Sequence, residues 1–135
     1  MEITLIASAL VVAGFSAFAF IRAGIHKINT SDQKLIEAGW GWVKDFPKGT
    51  TTFIGISEIL GGFGVVLAPL AVTVFNFDWA LPIGILAAIG LVIVMVLANI
   101  VHIRRKEFKY TWKGGVSMLL VTVLVSILLT IYPTS

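Results

Sequence analysis

The amino-acid sequence predicts an all-α fold: a polytopic membrane four-helix bundle with a short interfacial helix in the first cytoplasmic loop. Hydrophobic residues make up 58% of the 135 residues and charged residues 13%, and the mean hydropathy is +1.00. A soluble domain of this length has too little interior to bury so much apolar surface. A membrane-spanning helix needs roughly 20 apolar residues, and four such stretches fill the chain. We therefore expect a single transmembrane domain over residues 1–135.

The four apolar stretches predict helices at about residues 3–25, 53–75, 79–103 and 114–132. The first has no basic segment before it and is longer than the apolar core of a signal peptide, so we expect it to remain as a span. The second and third are joined by a very short turn and must be antiparallel neighbours. Aromatic residues at the ends of spans favour the membrane interface. They are Trp79 and Tyr132 at one face, and Tyr110 and Trp112 at the other.

The loop between the first two spans has a helical pattern of its own. Thr30 and Gln33 match a capping box, and apolar residues then recur at helical spacing. These are Leu35, Ile36, Trp42, Val43 and Phe46. The pattern predicts a short amphipathic helix lying on the membrane surface; the alternative is a helix that packs against the end of the bundle.

All 10 basic residues fall in two regions of the chain. One group ends the first span or follows it, and the other lies between the third and fourth spans. They are Arg22, Lys27, Lys34, Lys44 and Lys48, and Arg104, Arg105, Lys106, Lys109 and Lys113. Basic loops stay in the cytoplasm, so both termini are predicted on the non-cytoplasmic side of the plasma membrane. Because the basic residues flank apolar segments, the net charge of +3 indicates a membrane rather than a nucleic acid.

Glu58 is the one acidic residue well inside an apolar stretch. It follows Gly55 by three residues, so the two share a helix face. Since an ionisable group in a bilayer is costly, we expect Glu58 to face protein and to pair there. Candidate partners lie at the same depth at the ends of the first and third spans. They are Arg22 and His26, and Asn99 and His102.

These residues predict one polar site, with Arg22 as the ionic partner of Glu58. The site either ties three helices in register or binds a ligand or proton. Cysteine is absent, and two histidines with one carboxylate lack a metal-binding spacing. No phosphate-binding loop, dinucleotide fingerprint or nucleophile elbow is present. We therefore predict no metal site and no catalytic residues.

Three segments carry a resemblance to a known family. Residues 21–28 (IRAGIHKI), 53–64 (FIGISEILGGFG) and 98–105 (ANIVHIRR) are similar to the ends of helix one, the start of helix two and the end of helix three in the DoxX-like family. The resemblance implies a compact four-helix membrane bundle. It also implies that Glu58 and His102 occupy recurrent polar positions of the family, whereas Arg22 departs from its pattern. The family is named after a small subunit of a quinol oxidase complex, and relatives are linked to redox complexes and receptor assembly.

The favoured function is a non-catalytic accessory subunit of a membrane complex, or a subunit that binds a small hydrophobic ligand resembling a quinone or a lipid. The ligand would lie between the first three helices. Its expected partners are the bilayer, subunits of a membrane redox complex and further copies of the chain. One alternative is a proton-coupled small multidrug-type transporter using Glu58, although the one-sided basic charge argues against it. Another is an assembly or chaperone protein that acts through helix contacts.

The charge distribution predicts where reporters fused to the termini will be active. Alkaline phosphatase, which folds only outside the cytoplasm, should be active at either terminus because both termini are expected there. A fluorescent reporter that matures only in the cytoplasm should remain dark at the same positions. Bright cytoplasmic reporters at either end would contradict the topology.

Overall fold

A computed structural model describes residues 2–134 as an all-helical chain. Its helices are α1 (Glu2–Asn29), α2 (Asp32–Glu37), α3 (Thr50–Phe75), α4 (Ala80–Arg104) and α5 (Phe108–Thr130), with a 3₁₀ turn at Gly41–Asp45. By length and composition, α1, α3, α4 and α5 can each cross a membrane. The predicted all-α architecture is confirmed. We call the end of the bundle that carries the two basic loops its basic end.

The spanning helices reach further at the basic end than their apolar stretches do. α1 continues to Asn29, α3 begins at Thr50, and α5 begins at Phe108. A helix satisfies its own backbone hydrogen bonds, so it can continue past the hydrocarbon core. Lysine and histidine side chains then extend their polar groups toward water.

The loop between α1 and α3 contains two short helical pieces instead of the single helix that we predicted. α2 begins after Ser31, whose hydroxyl accepts a hydrogen bond from the backbone N–H of Lys34 at 3.3 Å. The predicted capping box of Thr30 and Gln33 is therefore wrong by one residue. Gly39 follows α2 with a φ of +103°, a conformation that suits glycine and interrupts the helix.

The four long helices form a closed ring in which α3 contacts α1 and α4, and α5 contacts α4 and α1. Small residues lie where the helices meet. A Cβ atom on Gly55 would stand 2.8 Å from the carbonyl oxygen of Gly24, and one on Gly61 would stand 2.6 Å from Leu91 Cδ2. Such close backbone approach gives van der Waals contact where lipid supplies no hydrophobic drive.

At the other end of the bundle, Tyr132 is buried rather than placed in an outer aromatic belt. Its side chain is 5% exposed, and its hydroxyl lies 2.5 Å from Thr73 Oγ1. The prediction for Tyr132 is wrong because a hydroxyl partner on α3 draws the ring into the bundle. Trp79, by contrast, is 65% exposed and stacks on Phe77.

Replacing Gly24 by alanine should destabilise the bundle, because its new methyl group would meet the α3 backbone at Gly55. We expect a loss of about 1–3 kcal/mol, as for other overpacked sites. Gly14→Ala is the matched control in α1, since nothing lies within 4 Å of a Cβ atom there. Thermal unfolding in detergent should show a lower Tm for Gly24→Ala alone. Equal Tm values would contradict the proposed close contact.

Candidate functional site

An ion pair between Lys27 and Glu58 lies at the basic end of the bundle. Lys27 Nζ is 2.8 Å from Glu58 Oε1, and the two side chains are 12% and 6% exposed. Glu58 sits one turn beyond Gly55 on α3, and Lys27 sits one turn beyond Gly24 on α1. The two charges neutralise one another inside the protein, which is the usual condition for ionisable groups at this depth.

Lys27 takes the place that we predicted for Arg22. The buried face of α1 includes Phe20 and Gly24, and Lys27 continues that stripe at the next helical step. Arg22 precedes Gly24 by two residues, which turns its side chain roughly 200° away. Arg22 is exposed, and its guanidinium lies over the Phe18 ring at 5.5 Å. The predicted Arg22–Glu58 pair is therefore wrong.

Aromatic side chains from the first loop lie beside Lys27. The Trp40 ring is 5.3 Å from Lys27 Nζ, and the His26 ring meets Trp40 edge-on at 5.5 Å. Trp42 stacks on Trp40 with 6.2 Å between ring centroids. We call His26, Trp40 and Trp42 the aromatic cluster. His26 belongs to this cluster and lies on the exposed surface, so it is not grouped with Asn99 and His102.

Asn99 connects α4 to α5 rather than completing a site around Glu58. Its amide nitrogen donates hydrogen bonds to the carbonyl oxygens of Met95 at 2.9 Å and Gly115 at 3.2 Å. A Cβ atom on Gly115 would collide with the Asn99 side chain. The absence of a side chain at Gly115 thus allows the buried carboxamide to reach the neighbouring backbone.

His102 belongs to a polar network that joins the two basic loops. His102 Nδ1 is 2.7 Å from Glu107 Oε1, and Arg105 Nε is 3.3 Å from the same oxygen. The Arg105 guanidinium also binds Asp45 in the first loop. This hydrogen bond raises the pKa of Arg105 above its ordinary value, so the link between the loops stays charged at all physiological pH values.

The residues that we predicted as one polar site therefore lie in separate contacts. Gly55 leaves no room beside Glu58, because the α1 backbone at Gly24 fills that space. Two open depressions lie elsewhere, one against the first loop and one between α4 and α5. Within residues 2–134, no three His, Asp or Glu side chains are grouped closely enough to hold a metal ion.

The sequence analysis missed Lys27 and the ring of Trp40 beside it. A signal for Lys27 was present, because the steps from Ala17 to Phe20, Gly24 and Lys27 follow one face of a helix. The contact between Arg105 and Asp45 joins residues that are 60 positions apart. Only the folded arrangement of the two loops brings that pair together.

Comparison with known proteins identifies one family. The model of the DoxX-like family matches residues 11–128, a span that contains Lys27, Glu58, Asn99 and His102. No curated protein and no solved structure matches the chain.

Removing either charge of the Lys27–Glu58 pair alone should destabilise the protein more than removing both. Lys27→Met leaves an unpaired carboxylate and Glu58→Gln an unpaired ammonium, each at a cost of about 3–5 kcal/mol. The double variant should recover part of that loss. Arg22→Gln is the matched control and should leave the Tm nearly unchanged, because Arg22 is exposed. Additive effects of the two substitutions, or a large effect of Arg22→Gln, would refute the pairing.

Proposed function

The chain belongs to the DoxX-like family, and on this premise we propose that it is a non-catalytic accessory subunit of a membrane complex in the plasma membrane. The carrying observation is the closed Lys27–Glu58 pair, in which Glu58 is only 5% exposed. An intramembrane carboxylate is commonly functional. Here its charge is neutralised by a side chain of the same bundle, which supports a role in holding α1 against α3.

The same observation argues against a proton-coupled transporter. A transport carboxylate must exchange its proton with water and bind its substrate in turn, so it lines a water-filled cavity. Glu58 instead lies against Lys27 one turn from a contact between two backbones. The other predicted polar residues, Asn99 and His102, bond to Gly115 and Glu107 and leave Glu58 without a polar pathway.

An accessory subunit would act through the outer faces of its helices. Of the most apolar stretch of α5, 17% is buried, compared with 39% for α3. Leu120 and Leu124 are 63% and 43% exposed on that helix. Because α5 is the least buried span, we propose that it carries the surface that contacts a partner subunit.

A second candidate function is binding of a quinone-like or lipid-like ligand at the aromatic cluster. Trp40 offers a flat ring, exposed His26 a hydrogen-bonding nitrogen, and Lys27 a cation beside them. An amphipathic head group is recognised by this combination of an apolar surface and a few polar groups. This ligand would bind at the end of the bundle and not between the first three helices.

The accessory function predicts that the protein is isolated with other membrane proteins. The tagged chain should be expressed at its natural level in its own host, extracted in a mild detergent and separated by native electrophoresis. We expect the chain to migrate in a complex with reproducible partner subunits, identified by mass spectrometry. Leu120→Ala with Leu124→Ala should weaken that complex by removing apolar contact area. The matched control is Leu86→Ala with Leu97→Ala, at residues that are equally exposed on α4.

Two results would contradict this function. One is a chain that migrates only as a monomer or with copies of itself under every mild extraction. The other is stoichiometric quinone in that material, lost on Trp40→Ala, which would favour the ligand-binding function.

A further inference from the structure

The first loop and the beginning of α3 enclose an open depression of about 570 Å³. One side is polar and includes Lys44, Lys48 and Gln33, and the other is apolar and includes Ile36 and Phe46. Thr52, in the first turn of α3, also lines it. The depression therefore lies where a membrane-spanning helix begins, beside the 71% exposed ring of Phe53.

The cations at this depression differ from those elsewhere at the basic end. Lys27 and Arg105 are each paired with a carboxylate. Lys44 and Lys48 are exposed, and neither forms an ion pair within the described residues 2–134. Asp32 is the one acidic residue of the lining. The lining thus carries a net positive charge that no internal contact neutralises.

We propose that this depression binds the headgroup of an anionic phospholipid from the leaflet that adjoins the basic loops. Lys44 and Lys48 would contact the phosphate, since basic residues beside a span attract anionic lipid headgroups. Ile36 and Phe46 would contact the glycerol and the first carbons of the acyl chains, whose path continues past Phe53 into the bilayer. A soluble phosphate compound lacks these carbons and would leave the apolar side uncovered. This site is separate from the proposed accessory function and does not require a partner protein.

The test uses the purified full-length chain and native mass spectrometry in detergent. Phosphatidylglycerol and phosphatidylcholine with the same acyl chains are added at equal concentration. We expect one phosphatidylglycerol to be retained with roughly tenfold preference, which is the size expected for two lysines partly offset by one acid. Lys44→Gln with Lys48→Gln should abolish the preference. Lys109→Gln with Lys113→Gln, which changes the net charge equally at exposed positions outside the depression, should preserve it.

A single-residue variant provides a result of the opposite sign. Asp32→Asn removes the acidic group of the lining and should raise retention of phosphatidylglycerol several-fold. This arm remains informative even if the double lysine variant does not fold, which size-exclusion chromatography would show.

Three outcomes would overturn the proposal. The first is equal loss of preference in the Lys109 and Lys113 control, which would indicate general surface charge. The second is unchanged or weaker retention in Asp32→Asn. The third is full displacement of the lipid by inorganic phosphate at the same concentration, which would assign the lysines to a soluble phosphate ligand.

Discussion

The contact between the Gly24 and Gly55 backbones is the constraint on which the basic end of the molecule depends. Each glycine lies against the carbonyl oxygen of the other, so α1 and α3 approach more closely than side chains would permit. One turn further along each helix, this proximity brings Lys27 within 2.8 Å of Glu58. The order of causes is steric first and electrostatic second. An ion pair in a bilayer is favourable only when the geometry already holds the charges together.

Polar contacts at different heights then fix the remaining helices. Asn99 reaches the backbone of Gly115 between α4 and α5, and Tyr132 reaches Thr73 at the end away from the basic loops. Arg105 binds Asp45 and Glu107 and so joins the two basic loops. Helices in lipid gain little from burying apolar surface against one another. Small residues and a few buried polar groups therefore specify which helices are neighbours and in what register.

These assignments move the chemically interesting region from the bundle interior to its surface. The interior polar residues are engaged with one another or with backbone carbonyls, which suits a structural role. The first loop instead presents an aromatic cluster beside Lys27 and unpaired Lys44 and Lys48 around an open depression. Both features face the membrane boundary, where an accessory subunit meets lipid headgroups and the extramembrane parts of its neighbours.

The sequence by itself determined the four spans, the all-α fold and the small residues that meet at helix contacts. Their signals are local: runs of apolar residues long enough to cross a bilayer and small residues at helical spacing. It also located Glu58 as a buried group that needs a partner. It did not determine which cation that partner is, because Arg22 and Lys27 lie at similar depth and differ only in the direction they face. The tertiary structure decided for Lys27, since the rotation of α1 follows from the seating of Gly24 on Gly55. It likewise decided the link from Arg105 to Asp45, because contacts between distant loops depend on how the helices that carry them are packed.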